Sequence, residues 1–346
     1  MEIGVGLDRG LGLSWDQHRE LARHAARLGY ESVWTNAGID RDSMHICAQW
    51  TVASSDVVPG GLGTGISVIP IGYWTAPALA SCAATVGEIS GGKFVLGIGS
   101  GAIHNPAFRK TLGLPDLGPI GAMREYLTTV RALLAGETVT HEGKAITLNG
   151  VSIGFTPPKV PVALGALGPQ MLRLAGQASD GAALNWCDAE RVATYREIVA
   201  EGARSAGRDP SEVAIIEYIR ICVDDDEDAA RRAYVKALMG YAMARPGVSK
   251  ELGYRGHFAR MGFDEQLTEL EERRDRGASE AELVDAFPVD LALQVGYFGP
   301  ASGAAAAFRR LAEGLDTAIV RVVAARPGLD SITAVMESCQ PSRIPS

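Results

Sequence analysis

Glycine and proline residues mark the place where a short apolar run gives way to a helical pattern. Residues 162–164 read as a buried parallel strand, and Met171 and Leu172 begin an apolar helix face. Gly165 and Gly168 permit close backbone approach between these two elements, and Pro169 suits the first helical position. The free N–H groups of a helix N-terminus bind anions, so this turn predicts a phosphate site. An ordinary strand-to-helix turn, with glycines for packing, is the alternative interpretation.

Another apolar strand is predicted at residues 94–98. It is followed directly by a second glycine-rich stretch, Gly99-Ser100-Gly101. A dinucleotide-binding fold would carry its glycine motif early in the chain, with an acidic residue about 20 residues later. Here three strands precede the glycines, and Asp116 lies in a loop rich in proline and glycine. The spacing therefore favours a different fold.

The elements that position these turns alternate between strand and helix along the chain. Eight apolar strands can be counted, at residues 3–7, 32–34, 62–71, 94–98, 162–164, 181–184, 213–223 and 317–323, with an added hairpin at 138–155. This alternation predicts an α/β fold, a closed (β/α)8 TIM barrel whose chemistry lies at the C-terminal strand ends. An open doubly wound sheet would be favoured if the weak strands at 32–34 and 181–184 were absent.

We predict a single barrel domain over residues 1–339, with a helical insertion at about residues 224–290 and a loose tail at 340–346. The acidic run 224–227 fits a solvated helix start better than a metal site, because adjacent acids diverge in direction. No metal site is expected.

The amino-acid composition limits the classes of protein to which this chain can belong. The 346 residues are 47% hydrophobic and 21% charged, with a net charge of −8, which is typical of a globular enzyme and disfavours nucleic-acid binding. We expect no membrane span and no export signal. The five cysteines are scattered and form no CxxC pair, so we expect a reducing cytoplasmic setting.

Four segments together resemble the luciferase-like monooxygenase superfamily, in particular its branch that uses the deazaflavin coenzyme F420. They are residues 62–66, residues 88–101, residues 164–181 and the pair Gly299-Pro300. Within that branch, the chain resembles methylenetetrahydromethanopterin reductases and related actinobacterial oxidoreductases. The resemblance implies a β/α barrel with an insertion, which agrees with the strand count, and a dimer.

The resemblance also implies cofactor contacts. It places a non-prolyl cis peptide behind the cofactor ring at Gly65-Ile66, and a ring contact at Asn105. It implies that the phosphate or polar tail of the cofactor is held by the loop of Gly165, Ala166, Leu167, Gly168, Pro169, Gln170 and Met171. It also implies that Ser100 and Gly101 contact the cofactor. Many relatives carry Asp-His after the second strand, where this chain has Asn36, which can hydrogen-bond a ring edge but cannot exchange a proton.

Two further departures concern the substrate. Methanopterin-type reductases carry a glutamate where this chain has Gly6, and sugar-phosphate relatives carry an acid where it has Ala102. The resemblance therefore assigns neither a methanopterin nor a sugar phosphate to this chain as its substrate.

Four catalytic candidates lie near predicted strand ends. One is His45, which begins the helix after the second strand, although it could be an ordinary helix residue. His104 is the first choice, because imidazole titrates near neutrality and the residue follows the fourth-strand glycines. Asp8 follows the first strand, although it could cap a loop. Glu217 lies within the seventh strand, although it could pair with a barrel arginine such as Arg321.

The aromatic residues Trp34, Tyr73, Trp74 and Trp186 are candidates for the wall of the substrate site, although packing is their commoner role. His18, His24 and His257 are expected at the surface.

The leading hypothesis is an oxidoreductase that passes hydride between coenzyme F420 and a small organic substrate. A flavin monooxygenase that uses FMN and molecular oxygen is the second hypothesis. A non-catalytic cofactor-binding barrel is the third. The expected partners are the small-molecule substrate and a second copy of the chain.

Overall fold

The computed structural model describes residues 1–104, 109–110, 113–246, 249–251 and 253–344, without the side chains of Ala102 and His104. Its strands are β1 Glu2–Gly6, β2 Ser32–Thr35, β3 Gly63–Pro70, β4 Phe94–Gly99, β5 Val139–Glu142, β6 Thr147–Val151, β7 Val162–Gly165, β8 Gly181–Asn185, β9 Ala214–Val223, β10 Gly296–Gly299 and β11 Thr317–Val322.

The helices alternate with these strands. They are α1 Trp15–Leu28, α2 Ser43–Ser54, α3 Ala76–Ile89, α4 Pro119–Leu134, α5 Pro169–Ala178, α6 Ala189–Ser205, α7 Glu227–Ala242, α8 Gly253–Phe258, α9 Asp264–Asp275, α10 Glu280–Asp285, α11 Val289–Gln294, α12 Ala301–Leu311 and α13 Leu329–Ser338. Short 3-10 turns lie at Arg9–Leu11, Ile71–Tyr73, Gly101–His104, Pro210–Glu212 and Pro341–Arg343.

Eight parallel strands close into a barrel. Their order is β11-β1-β2-β3-β4-β7-β8-β9, and the pairing of β9 with β11 closes the ring. Both weak strands are present, as β2 and β8, so the barrel prediction is confirmed and the open sheet is excluded. The predicted hairpin is also present, as the antiparallel pair β5 and β6.

A ninth parallel strand was missed by the sequence analysis. Strand β10 pairs with the last four residues of β9, outside the closed ring. It contains only Gly296, Tyr297, Phe298 and Gly299, so it gives neither an apolar run nor an alternating pattern.

The barrel interior and the helix layer have separate cores. Inside the barrel, Trp34, Ala163, Ile216, Tyr218 and Ile319 pack together. The larger core lies between the strands and the surrounding helices. Within the described ranges, no helix has the length and apolar character needed to cross a membrane.

The region between β9 and β10 folds as helices α7 to α11 around a core of its own, which includes Tyr234, Leu238, Phe258 and Leu270. A π-helical segment, Ala259–Phe263, joins α8 to α9. The buried Arg255 Nε donates to Glu271 Oε1 at 2.9 Å and connects α8 to α9. This helical region lies against the barrel through Trp186 and Cys222.

Candidate functional site

The C-terminal ends of the parallel strands meet at one face of the barrel, as they do in other barrels of this kind. Asp8 follows β1, Asn36 follows β2, and the glycine loops follow β4 and β7. The turns predicted to carry chemistry therefore share one barrel mouth.

The loop between β7 and α5 has the geometry expected of an anion site. Gly168 is the N-cap and gives the helix no side-chain hydrogen bond, and Pro169 occupies the first turn. The next free amides, those of Gln170 and Met171, are therefore left for other acceptors. The Met171 side chain itself is buried in the helix-facing core.

A cation from the helical region lies beside this loop. Arg260 Nη2 approaches Leu167 O at 3.5 Å, and Arg191 Nη2 donates to the main-chain oxygen of Arg260 at 3.0 Å. Arg260 is exposed, so its charge is available to a ligand at the loop. The sequence analysis missed Arg260, because no local pattern connects it to a turn more than ninety residues earlier.

The cis peptide lies two residues beyond its predicted place. It joins Ser67 to Val68, where the pairing of β3 with β4 shifts register, and not Gly65 to Ile66. Ile66 is fully buried in the helix-facing core. A Cβ built on Gly65 would lie 2.3 Å from the Trp34 ring, so Gly65 makes room for that ring inside the barrel.

Val68 occupies the space left by glycines on two neighbouring strands. A Cβ on Gly99 would lie 2.5 Å from Val68 Cγ2, and one on Gly165 would lie 3.3 Å from Val68 Cγ1. Ser67 and Val68 are partly exposed at the mouth, although their strand is otherwise largely buried. Val68 thus forms an apolar floor beside the β4 and β7 loops.

Ser100 and Gly101 follow β4 at the same face. Gly101 has φ of 44°, and a Cβ there would lie 2.6 Å from Pro70, so this turn requires glycine. Asn105 lies outside the described residues. The backbone of His104 ends the 3-10 turn Gly101–His104, and its side chain lies outside the described part of the chain.

A cavity of about 650 Å³ opens at the other side of the mouth. Its walls come from the ends of β1, β2, β9 and β11, from α7, and from the loop after β11. They are Asp8, Arg9, Gly10, Leu11, Asn36, Asp40, Arg220, Ala237, Tyr241, Arg321, Val322, Val323, Ala324, Ala325, Arg326, Pro327, Gly328 and Ile332.

Two of the predicted residues, Asp8 and Asn36, line this cavity. Asp8 is buried and forms an ion pair with Arg321, which also stacks over Tyr218 at 5.0 Å. The buried Oδ1 of Asn36 has no hydrogen-bond partner in the described structure. Asn36 therefore presents a free acceptor at the mouth.

Glu217 is not brought to this cavity. It shares the outer face of β9 with Ile215 and Ile219, whereas Ile216 and Tyr218 point into the barrel. Its Oε1 accepts the amide of Cys187 at 2.6 Å, and burial raises its pKa to about 8. The suggested pairing with Arg321 is wrong, since Arg321 pairs with Asp8.

The aromatic candidates serve mainly as packing. Trp34 is buried in the barrel interior, and its Nε1 donates to Ser32 Oγ at 2.8 Å. Tyr73 and Trp74 are half-buried and do not line the cavity. Trp186 is fully buried beneath Arg220, with φ of 63°.

Two of the histidines expected at the surface are buried. Burial lowers the pKa of His18 to about 4 and that of His257 to about 4. His257 Nε2 lies 2.8 Å from Trp186 O and holds the backbone that carries the Trp186 ring. His24 is partly exposed and lies 3.3 Å from Glu337.

The sequence analysis also missed Arg220. A signal existed, because β9 is an apolar strand interrupted by two charged residues, Glu217 and Arg220. Their spacing of three places them on opposite faces of a strand, so one of them had to point into the barrel. No group of three or more His, Cys, Asp or Glu side chains in the described residues could hold a metal.

Comparisons with known proteins show which proteins this chain is similar to. 5,10-Methylenetetrahydromethanopterin reductase of Methanolobus tindarius is 34% identical over 213 residues, which is 61% of this chain and 62% of that protein. The alignment thus spans less than two thirds of the relative.

Solved structures agree with the fold over nearly the whole chain. The coenzyme F420-dependent tetrahydromethanopterin reductase from Methanopyrus kandleri has a TM-score of 0.75 at 22% identity, covering 98% of this chain and 97% of that chain. A type II Baeyer-Villiger monooxygenase, the oxygenating constituent of 3,6-diketocamphane monooxygenase from Pseudomonas putida in complex with FMN, has a TM-score of 0.65 at 18% identity, covering 100% and 99%.

The model of the luciferase-like monooxygenase family matches residues 2–318. That match covers most of the chain and contains every strand of the barrel except the last four residues of β11. This protein therefore belongs to the luciferase-like monooxygenase family.

Proposed function

We propose that this protein is an oxidoreductase that transfers a hydride between coenzyme F420 and a small organic substrate. The observation that carries the proposal is the β7–α5 loop, where an uncapped helix N-terminus and Arg260 lie at the barrel mouth. Relatives of this chain that are named as F420-dependent enzymes support the choice of cofactor.

The residues at the mouth fit a deazaflavin. Its flat ring needs an apolar support, a polar edge contact and a holder for its phosphate-bearing tail. Val68 offers the support, the unpaired Asn36 Oδ1 offers an acceptor for a ring N–H, and the β7–α5 loop offers amide donors. When bound, coenzyme F420 supplies a two-electron hydride carrier.

We assign the cofactor contacts accordingly. Asn36, Ser67 and Val68 would hold the ring, with Ser100, Gly101 and Asn105 beside it. Gly165, Ala166, Leu167, Gly168, Pro169 and Gln170 would hold the tail, together with the amide of Met171 and the charge of Arg260. We leave Gly65 and Ile66 out of this proposed set, because a Cβ on Gly65 would meet the Trp34 ring and Ile66 is fully buried.

We assign proton handling to two residues at the mouth of the barrel. Asp8 lines the cavity and is held by Arg321, so it acts as a fixed carboxylate that orients a donor group. His104 follows the β4 glycines and remains our candidate for the proton donor. The fold excludes bulk water from the barrel interior, which Trp34 and Tyr218 fill.

We further propose that the chain acts as a homodimer in a reducing, cytoplasmic setting. Ile39, Val52 and Ile89 are exposed apolar side chains, with 72%, 57% and 46% of their surface accessible, which suits a subunit contact. Light scattering would measure the mass in solution, and a monomer at micromolar concentration would refute this assembly.

Cofactor titration tests the proposed function. Coenzyme F420 fluorescence should be quenched on binding with a micromolar or lower dissociation constant, and FMN should bind at least tenfold more weakly. Tight FMN binding with oxygen consumption would replace the proposal with a flavin monooxygenase. Failure of both cofactors to bind would leave a barrel without redox function.

A further inference from the structure

Arg220 is a buried cation at the wall of the 650 Å³ cavity. Only 2% of its surface is exposed, and its guanidinium carbon lies 3.5 Å from the centroid of the Trp186 ring. Its Nη1 donates to Asn185 Oδ1 at 2.6 Å, and Asn185 in turn donates to the Tyr254 hydroxyl at 2.7 Å. Stacking and these hydrogen bonds hold the guanidinium in one orientation.

The charged side chains of the cavity wall are not all paired. Four arginines line it, and three have carboxylate partners: Arg9 with Asp40, Arg321 with Asp8, and Arg326 with Asp224 and Asp226. In the part of the chain that the structure describes, Arg220 has no carboxylate within 4.0 Å, and its buried Nη2 makes no hydrogen bond. Arg220 is therefore the arginine of this wall that has no carboxylate partner among the described residues.

Such an arrangement is costly without a ligand. A buried charge loses its hydration, and aromatic faces return only part of that energy. Burial accordingly lowers the pKa of Arg220 below its usual value. An anion hydrogen-bonded to Nη2 would supply both the missing acceptor and the missing charge.

The remaining wall of the cavity indicates what else the anion carries. Leu11, Val322, Val323 and Ile332 are apolar residues of the lining, and the volume suits a small organic molecule. A single arginine without a carboxylate partner matches a monoanion better than a phosphate dianion.

This anion site is separate from the loop assigned to the cofactor tail. In the closed ring, β1 and β7 are four strands apart and lie on opposite sides of the barrel. Asp8 follows β1 and lines the cavity, whereas the amides of the α5 N-terminus follow β7. If the cofactor tail lies at the α5 N-terminus and its ring lies over the centre of the barrel, the cavity faces the side of the ring from which a substrate would approach.

We propose that this cavity binds an organic monocarboxylate, with its carboxylate on Arg220 Nη2 and its apolar body against the β1 and β11 ends. Building on the proposed function, we identify this ligand class as that of the substrate.

Calorimetric titration at constant ionic strength, with benzoate and its neutral isostere benzamide as probes, tests the carboxylate site in the wild-type protein. We expect benzoate to bind at least tenfold more tightly than benzamide and than inorganic phosphate. Equal binding of benzoate and benzamide, no benzoate binding at millimolar concentration, or tighter binding of phosphate would each overturn the proposal, and none of these outcomes depends on a variant that folds.

Substitutions at Arg220 then test whether this residue binds the carboxylate. Arg220→Gln should weaken benzoate binding at least tenfold, and Arg220→Lys should retain part of it. Arg326→Gln, which removes a paired arginine from the same wall, should weaken it less than threefold. A folded Arg220→Gln protein that binds benzoate as well as wild type would refute the role of Arg220.

Coenzyme F420 titration of the same proteins separates the two proposals. Arg220→Gln should leave the dissociation constant for coenzyme F420 within threefold of the wild-type value. If Arg220→Gln weakened coenzyme F420 and not benzoate, the arginine would serve the cofactor and the carboxylate proposal would be wrong. If benzoate bound and coenzyme F420 did not, the proposed function would fail and the carboxylate site would stand.

Discussion

The indole ring of Trp34 occupies the space that a side chain at Gly65 would need, because a Cβ on Gly65 would lie 2.3 Å from the ring. The two residues are register partners on the neighbouring parallel strands β2 and β3. The same ring also fills the space at Gly4, where a Cβ would lie 2.8 Å from it. One aromatic side chain thus requires glycine on both strands that flank β2.

Gly65→Ala should destabilise the protein by about 1–3 kcal/mol, because the added methyl group overpacks a rigid interior. Chemical denaturation would measure this loss. The double variant Trp34→Phe/Gly65→Ala should recover part of it, since the smaller ring relieves the contact. Gly121→Ala is the control, because its Cβ would meet no atom within 4 Å in α4. A Gly65→Ala protein as stable as wild type would contradict this packing.

Arg260→Gln should weaken coenzyme F420 binding about threefold to tenfold, since it removes the cation beside the β7–α5 loop. Fluorescence titration would measure the change. The deazaflavin core compound without its phosphate tail should bind both proteins equally. Arg276→Gln, an exposed arginine paired with Glu272, should bind coenzyme F420 like the wild type. An effect on the core compound as large as that on coenzyme F420 would place Arg260 elsewhere.

Asn36→Ala should weaken binding of coenzyme F420 about threefold to tenfold, because it removes an acceptor that has no partner in the described structure. The core compound should show the same loss, since the contact is with the ring. Asn149→Ala, in the exposed hairpin strand β6, is the matched control. Unchanged binding in Asn36→Ala would remove this residue from the site.

Glu217→Gln should stabilise the protein increasingly as pH rises. The folded state holds the Glu217 proton up to about pH 8, whereas an unfolded glutamate releases it near its usual pKa of 4.5. Wild type therefore loses stability between these two values, by an amount on the order of a few kcal/mol, and glutamine does not. Unfolding free energies at pH 5 and pH 8 would show the difference, and a constant gap between the two proteins would contradict it.

His104→Ala should lower turnover at least a hundredfold while coenzyme F420 still binds, if this imidazole donates the proton. Steady-state oxidation of reduced coenzyme F420, with the substrate found by screening organic carboxylates, would measure it. His24→Ala is the control, because His24 lies on α1 and contacts Glu337 at 3.3 Å. Full turnover in His104→Ala would transfer the role to another group such as Asp8.

Local sequence was enough to predict the barrel and the loop that faces its mouth. The eight barrel strands can be recognised in the sequence as apolar runs. Gly165, Gly168 and Pro169 specify the turn between β7 and α5, because glycine gives the backbone freedom and proline fixes φ. Such features depend on neighbours in the chain, so they can be read without a structure. The sequence analysis placed the cis peptide two residues too early. The bond lies where the pairing of β3 with β4 shifts register, and this shift depends on the neighbouring strand and cannot be read from β3 alone.

Tertiary structure decided which charged side chains meet. Arg220, Arg321 and Asp8 lie far apart in sequence, and only closure of the barrel through β9, β11 and β1 brings them to one cavity. Alternation along β9 turned Glu217 away from that cavity and Arg220 towards it. Burial and pairing are properties of the closed ring, because a charge is neutralised by neighbours in space, and the sequence alone does not say which neighbours those are.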